Sequence, residues 1–165
     1  MIVYRPIDWS EIGLLEDFLY LAVHQNDPDN PIAREVIRDP RLAAYIDGWG
    51  RTQDLCTVAI VAGKVVGAVW ARTFDGDARG YGTVDERTPE IVLSVKPAHR
   101  GRGIGSELMV QLLRCIAARG DERVSLSVQK ANPALRLYRR LGFAVAEDHG
   151  DEYVMMLDVR ERVEI

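Results

Sequence analysis

The segment from Val92 to Leu108 constrains the fold of this chain more than any other stretch of its sequence. Its first residues form an apolar run typical of a buried strand, and a glycine-rich turn follows within a few residues. Apolar residues then recur at positions 104, 108, 112 and 116, which places one face of a helix against a core. The segment therefore predicts a strand, a tight loop and an amphipathic helix in succession.

The loop between this strand and helix is a candidate anion-binding site. A helix start leaves its first backbone N–H groups without partners inside the helix, and the helix dipole adds positive charge there. Such a terminus suits a phosphate or pyrophosphate, and two arginines add charge at the same place. The alternative is a tight turn that binds nothing. The candidate residues are Arg100, Gly101, Arg102, Gly103, Ile104, Gly105 and Ser106.

The spacing of the glycines excludes two common nucleotide-binding motifs. A P-loop requires G-x-x-x-x-G-K-[ST], and no Lys-Ser or Lys-Thr follows these glycines. The dinucleotide fingerprint requires G-x-G-x-x-G and an acidic residue at the end of the next strand. Here the glycines stand two apart, and the next predicted strand is followed by Gln129 and Lys130. We therefore expect a phosphate-bearing ligand of another kind.

Length and composition are those of one ordinary globular domain, which we expect to span residues 1–165. The chain is 47% hydrophobic and 28% charged. It contains no apolar run near the ~20 residues that cross a bilayer, so we expect no membrane partner. A net charge of −4 argues against nucleic acid as a partner.

The cysteines and histidines indicate a reduced compartment and no metal site. Cys56 and Cys115 are far apart in apolar surroundings, so we expect two buried free thiols rather than a disulfide. Because the N-terminus shows no charged and apolar leader, we expect a cytoplasmic protein. His24, His99 and His149 lack metal-ligand spacing, so no metal is expected.

Turn residues and hydrophobic periodicity predict elements in the order β-α-α-β-β-β-α-β-α-β-β. A capping box at Asp8 and Glu11 opens the first helix, which we expect to run to about Gln25. The second helical region restarts at Asp39-Pro40. The polar, glycine-containing stretch 75–89 predicts a mobile surface loop. Together these elements predict an α/β (α+β) fold, a mixed sheet with helices on both faces.

Two motifs resemble the GCN5-related N-acetyltransferase (GNAT) superfamily. Arg100 to Gly105 fits that family's [QR]-x-x-G-x-[GA] loop and follows a strand of the L-x-V-x-P kind, here Leu93 to Pro97. The run from Asn132, N-P-A-L-R-L-Y-R-R-L-G-F, is similar to the family's N-x-A-x-x-L-Y-x-x-x-G-F signature. Both motifs lie within residues 90–143, about a third of the chain.

The resemblance implies acetyl-CoA as co-substrate and assigns roles to these residues. The loop at 100–105 would cradle the coenzyme A pyrophosphate with its backbone amides. Leu93, Ser94 and Val95 would hydrogen-bond the pantetheine arm as if to an added strand, and Asn132 would steady that arm from the other side. Tyr138 would give a proton to the departing thiolate. Plain structural roles are the alternatives, since Asn132 suits a helix N-cap and Tyr138 suits a core position.

The general base is the least specified part of the resemblance. Glu90 opens the strand and matches the glutamate that acts as base, directly or through water, in the histone-acetylating branch. The branch that acetylates ribosomal-protein N-termini carries a glutamate near the end of the next strand. This chain has Leu126-Ser127 there, which argues against that substrate class and leaves proton removal by water alone as an alternative.

The resemblance implies an N-acetyltransferase that moves an acetyl group to a primary amine. We expect the transfer to be direct, without an acetyl-enzyme, because neither cysteine lies in a motif. The acceptor is a small-molecule amine or a protein or peptide amine, and acidic residues at 147–152 favour a cationic one. The alternative function is a non-catalytic acyl-CoA-binding sensor or regulatory module. Homodimers are common in the family, and nothing in this sequence locates an interface.

Overall fold

One mixed seven-stranded sheet runs through the protein, in the strand order β1-β2-β3-β4-β5-β7-β6. The computed structural model describes residues 1–161. Neighbouring strands are antiparallel except β4 and β5, which are parallel. The predicted order of strands and helices and the mixed sheet are confirmed. The strands are β1 (Ile2–Pro6), β2 (Leu55–Val61), β3 (Lys64–Arg72), β4 (Glu90–Val95), β5 (Arg123–Gln129), β6 (Ala144–Asp148) and β7 (Glu152–Asp158).

The helical segments cover both faces of this sheet. A 3-10 helix (Trp9–Leu14) leads into α1 (Leu15–Ala22), and a second 3-10 helix (Arg34–Arg38) precedes α2 (Pro40–Ala43). The other two α-helices are α3 (Ile104–Arg119) and α4 (Ala134–Leu141), and short 3-10 helices span Pro97–His99 and Val159–Glu161. Within residues 1–161, no helix has the length and apolar character that a membrane crossing requires.

The first predicted helix is present in two parts. The capping box of Asp8 and Glu11 forms as expected, but it opens a 3-10 helix that becomes α-helical only at Leu15. Glu11 also accepts two hydrogen bonds from Arg5, which ties the 3-10 turn to β1. The helix ends at Ala22, earlier than the expected end near Gln25.

Two cores lie on opposite faces of the sheet. α3 and α4 pack on one face, and α1 and the residues around α2 pack on the other. The four-residue periodicity of α3 is confirmed, because each residue of its apolar stripe is at most 1% exposed. These residues are Ile104, Leu108, Leu112 and Ile116.

The two cysteines differ in burial, and the prediction that both are buried is wrong for one of them. Cys56 lies in β2 and is 8% exposed, but Cys115 is exposed on α3. The reason is helical phase. Ile116 belongs to the buried stripe, and the residue before it is turned about 100° away, toward solvent.

The stretch 75–89 is not a surface loop throughout, so that prediction is wrong for its middle part. Gly82 packs directly on β5, where a side chain would collide with the backbone of Leu126 and Ser127. The Ser125 hydroxyl donates to the Gly82 carbonyl at 2.7 Å. Residues 80–83 therefore cross the sheet on the face covered by α1, and Gly80 and Gly82 provide the room for this close approach.

Candidate functional site

The parallel neighbours β4 and β5 share one end and separate toward the other. Among residues 1–161 their one register pair is Glu90 with Ser125, next to a hydrogen bond from the Ser125 N–H to the Pro89 carbonyl. β4 continues to Val95 and β5 to Gln129 without further pairing between them. The two strands thus enclose a wedge that is closed at Glu90 and open at their carboxyl ends.

The wedge exposes an unpaired edge of β4. The Lys96 N–H donates to the Val66 carbonyl at 2.8 Å, so the even-numbered residues of β4 direct their backbone toward β3. Because backbone groups alternate along an antiparallel ladder, Leu93 and Val95 direct theirs into the wedge. An extended ligand segment could therefore add to β4 as a further strand.

Ser94 is not brought to this edge. Its backbone faces β3, and its buried hydroxyl donates to the Phe18 carbonyl of α1 at 2.7 Å. The structure thus separates Ser94 from Leu93 and Val95, although the sequence motif groups all three as ligand-binding candidates.

The glycine loop places a row of backbone donors at the open end of the wedge. Gly101 and Gly103 have φ angles of +73° and +80°, a region that favours glycine, and Gly103 caps the start of α3. In the described part of the chain, no hydrogen-bond acceptor serves the N–H groups of residues 101–106. Ile104 contributes its N–H while its side chain is buried in the core, and Ser106 lies half-buried on the first turn. The loop therefore has the donors that an anion needs.

The two loop arginines occupy different positions. Arg100 donates through Nε to the Val95 carbonyl at 2.9 Å and so ties the loop to the end of β4. Arg102 is exposed, and its Nη1 lies 3.2 Å from Nδ1 of His99. Arg102 therefore keeps an exposed guanidinium, in contact with His99, at the rim of the loop, while Arg100 shapes the loop.

Gly105 marks the point where three elements converge. A methyl group on Gly105 would lie 3.6 Å from Leu93 of β4 and 3.6 Å from Leu137 of α4. Both are ordinary contact distances, so the first turn of α3 sits directly over β4 and α4. The mouth of the wedge is thereby bounded by the glycine loop and α4.

Two predicted residues of the second motif belong to α4 and its N-terminal cap, and α4 is the helix that borders this mouth. The Asn132 Oδ1 accepts from the Ala134 N–H at 2.9 Å, which confirms that this side chain caps α4. Its side-chain N–H groups donate to no residue among those described. The cap role and a ligand-binding role are thus compatible.

Tyr138 combines a buried ring with an unused hydroxyl. The residue is 7% exposed, and its ring meets Phe143 edge to face with centroids 5.9 Å apart. No residue within 1–161 forms a hydrogen bond with the Tyr138 hydroxyl. Burial raises the pKa of this phenol above its ordinary value, so the group stays protonated and can donate.

Glu90 lies at the closed end of the wedge and is 1% exposed. Its two carboxylate oxygens accept from the hydroxyls of Tyr45 and Thr83, the latter at 3.0 Å. Burial raises the pKa of Glu90 to about 7, although both hydrogen bonds and the charge of Arg41 act in the opposite direction. A carboxylate that changes protonation near neutral pH is suited to general base chemistry.

Tyr45 and Thr83 were not predicted as site residues. Tyr45 follows α2 and Thr83 lies in the stretch 75–89, so both reach Glu90 only through the tertiary fold. The sequence offered one signal, the pair Gly80 and Gly82, because closely spaced glycines permit a close approach of backbone. The structure thus combines a loop with free backbone N–H groups, an open strand edge and a buried carboxylate along one wedge, with the protonated phenol of Tyr138 on the helix that borders its mouth.

Comparison with known proteins gives concordant results. The model of the acetyltransferase (GNAT) family matches residues 18–143. Acetyltransferase SG1711 of Sodalis glossinidius (strain morsitans) is 31% identical over 146 residues, covering 88% of this chain and 87% of that protein. The structure of yncA from Salmonella typhimurium, which contains acetyl-CoA, is similar with a TM-score of 0.68 at 22% identity, over 96% of this chain and 94% of that one. The paia N-acetyltransferase from Thermoplasma acidophilum, in complex with coenzyme A, has a TM-score of 0.68 at 15% identity, over 96% and 99% of the two chains.

Proposed function

The chain belongs to the acetyltransferase (GNAT) family, and from that premise we propose that it transfers the acetyl group of acetyl-CoA directly to a primary amine of its acceptor. One observation carries the proposal for this chain's own residues. Tyr138 has a protonated hydroxyl without a partner within residues 1–161, and it lies on α4, the helix that borders the mouth of a wedge with free loop N–H groups at its open end and a buried carboxylate at its closed end.

The binding part of the proposal follows from the unpaired backbone groups. The N–H groups of residues 101–106 bind the pyrophosphate, with Arg102 adding charge at the rim and Arg100 holding the loop. Leu93 hydrogen-bonds the pantetheine arm through its N–H and carbonyl along the edge of β4, and Val95 does so through its N–H, because the Val95 carbonyl already accepts from Arg100. Asn132 donates to that arm through its side-chain N–H groups while its oxygen caps α4.

The chemical part requires a base for the amine and an acid for the sulfur. The amine nitrogen attacks the thioester carbonyl carbon, a C–N bond forms, and the C–S bond breaks. Glu90 takes the amine proton through water, and the Tyr138 hydroxyl gives its proton to the departing sulfur. Burial disfavours the thiolate as it disfavours the phenolate, so a buried phenol and a buried thiol remain matched for this transfer.

Neither cysteine is placed for a covalent acetyl-enzyme. Cys56 is buried, and burial raises the pKa of its thiol, so the nucleophilic thiolate is not formed near neutral pH. Cys115 is exposed on α3, and the 11 residues from Ile104 place it roughly 16 Å along the helix from the glycine loop. Direct transfer is therefore the mechanism that these residues support.

The acidic hairpin between β6 and β7 gives limited support for a cationic acceptor. Asp148 accepts from the Lys130 ammonium at 2.8 Å, and the Glu147 carboxylate lies 2.8 Å from His149. These contacts offset part of the negative charge on which the expectation of a cationic amine depends. We therefore propose a primary amine as the acceptor, and cationic amines are among the acceptor classes to be tested.

The test is acetyl-CoA-dependent thiol release across pooled amines: amino acids, polyamines, aminoglycosides, and peptides with free N-termini or lysines. We expect at least one pool to turn over and Tyr138→Phe to lower kcat about 100-fold while acetyl-CoA binding is kept. Tyr4→Phe is the matched control, since Tyr4 lies on β1, across the sheet from β5, and should leave kcat unchanged.

Two outcomes would contradict the proposal. Acetyl-CoA binding without turnover of any pool would favour an acyl-CoA-binding module over amine transfer. Turnover that Tyr138→Phe leaves at the wild-type rate would remove this hydroxyl from the reaction.

A further inference from the structure

A closed set of hydrogen bonds surrounds Glu90. The Tyr45 hydroxyl donates to one carboxylate oxygen and accepts from the Tyr81 N–H at 2.7 Å. The Thr83 hydroxyl donates to the other oxygen at 3.0 Å and accepts from the Gly80 N–H at 2.9 Å. Each oxygen of the carboxylate is thus held by a hydroxyl that is itself oriented by a backbone donor.

The position of Tyr45 is fixed from the sheet. The Trp70 indole donates to the Tyr45 carbonyl at 3.1 Å, and the Arg72 guanidinium donates to the neighbouring Ala44 carbonyl at 2.9 Å. The Tyr45 ring also meets Phe74 edge to face with centroids 5.4 Å apart. Residues of β3 hold the Tyr45 backbone, and Phe74, just after β3, holds its ring. The Tyr45 hydroxyl therefore faces Glu90 in one orientation.

The other side of the carboxylate is covered by residues 80–83. A side chain at Gly80 would collide with the Tyr45 hydroxyl and with Glu90 itself. The Ser125 hydroxyl, beside Glu90 on β5, is used by the Gly82 carbonyl. The segment is therefore anchored at the closed end of the wedge by contacts with Glu90, Tyr45 and β5.

The cations near this carboxylate are engaged elsewhere. Arg72 lies opposite Glu90 on β3, but its guanidinium bonds Asp54 at 2.8 Å, and both of these side chains are 2% exposed. Arg41 stacks its guanidinium 4.0 Å from the centroid of the Tyr81 ring, and its charge acts on Glu90 without an ion pair. Within residues 1–161, two neutral hydroxyls are the side chains that hydrogen-bond the carboxylate.

We propose that Tyr45 and Thr83 are positioning residues that orient Glu90 and stabilise its ionised form for proton removal from the acceptor amine. The proposal rests on the proposed function, because it concerns the base of that reaction. A hydrogen bond donated to a carboxylate favours the charged form, whereas burial disfavours it. When one of these hydroxyls is removed, Glu90 keeps its proton to a higher pH. The ionised base is then available over a narrower pH range.

The first test is the pH dependence of kcat/KM on the acceptor that the pooled assay identifies. An ionised base makes kcat/KM rise with pH through the pKa of Glu90 and then level off. We expect Tyr45→Phe and Thr83→Val to move this acidic limb upward by about half a pH unit or more, a roughly threefold loss below the limb with the plateau retained. Thr83→Ser keeps the hydroxyl and should restore the wild-type limb.

Tyr20→Phe is the matched control for Tyr45→Phe. The Tyr20 hydroxyl bonds the Ile32 carbonyl on the same face of the sheet and does not contact Glu90. The control should leave the acidic limb in place. A general loosening of this layer would instead move the limb in Tyr20→Phe as well as in Tyr45→Phe. Limbs that coincide in wild type, Tyr45→Phe and Thr83→Val would overturn the proposal.

A second measurement needs no acceptor. Carbon-13 NMR of the glutamate carboxyl carbons, with Glu90→Gln to assign the signal, follows the titration of Glu90 in each folded variant. We expect the Glu90 titration to move to higher pH in Tyr45→Phe and Thr83→Val, and an unmoved titration would overturn the positioning roles. If no amine is acetylated, the proposed function fails while this titration still decides how the two hydroxyls act on Glu90.

Discussion

At the scale of single residues, the two thiols are expected to differ in reactivity. Cys115 is exposed on α3, and Cys56 is buried in β2 with the pKa of its thiol raised by burial. We therefore expect the native protein to incorporate one equivalent of a thiol reagent such as iodoacetamide, read by mass spectrometry, and Cys115→Ser to incorporate none.

The same variant tests direct transfer. Cys115→Ser should acetylate the acceptor at the wild-type rate, since an exposed thiol remote from the glycine loop carries no acetyl group in the proposed reaction. A large loss of kcat in this variant, with the fold intact, would indicate an acetyl-enzyme on this sulfur.

Single residues also differ in how far the sequence alone identifies them. Tyr138, Asn132 and Glu90 stand in or beside short motifs, so their types and spacing mark them as candidates without knowledge of the fold. Tyr45 and Thr83 belong to no motif, and their contact with Glu90 joins parts of the chain that are 45 and 7 residues away from it. No local pattern encodes such contacts, because they depend on how the elements pack.

At the scale of elements, the two glycines at the start of α3 differ in what limits a side chain there. At Gly103 the limit is the backbone conformation, and at Gly105 it is the space around the side chain. Gly103 has a φ of +80° with nothing near its missing side chain, whereas Gly105 has an ordinary φ and neighbours at contact distance. We expect Gly103→Ala to strain the loop by about 1 kcal/mol and to raise the KM for acetyl-CoA several-fold. Steady-state kinetics with varied acetyl-CoA measures this change.

Gly105→Ala is the control for this prediction. It adds the same methyl group one residue beyond Ile104, where the geometry accepts it, so the KM should stay within about twofold of wild type. Equal increases in the two variants would show that added bulk, rather than the left-handed backbone at Gly103, is responsible.

Elements were predictable wherever periodicity and turn residues agreed. α3 begins and ends where its apolar stripe and flanking glycines place it, and the strands around it follow the alternation of the sequence. The first helix is shorter than expected because its capping box opens a 3-10 turn instead of α-helix. The stretch 75–89 has the polarity of a surface loop, and only its contacts with Glu90 and β5 draw residues 80–83 inward.

At the scale of the whole molecule, the sheet consists of two parts that meet at the pair Glu90 and Ser125. Strands β1 to β4 form one part and β5 to β7 the other. Acetyl-CoA bound along the wedge would contact both parts, so we expect it to slow hydrogen exchange at the Leu93 N–H. The N–H of Ser94 faces β3 and should change little.

The free energy of unfolding should also rise as acetyl-CoA is added. At acetyl-CoA concentrations about 100 times its Kd, the stabilisation is about 2.7 kcal/mol, which corresponds to a Tm increase of roughly 5–10 °C.

For the hydrogen-exchange prediction, exchange that slows at the Ser94 N–H and not at the Leu93 N–H would place the ligand elsewhere.

The length of β4 sets a fixed distance in this enzyme. Glu90 begins the strand, Val95 ends it, and the glycine loop is tied to its end by Arg100, so Glu90 and the glycine loop are about 16 Å apart along the strand. In the proposed reaction the sheet holds that interval fixed, so the acetyl donor has to span it with its own flexible arm while its anion stays in the loop. If the proposed reaction holds, the number of residues in one strand selects the length of the acyl carrier, independently of which amine receives the acetyl group.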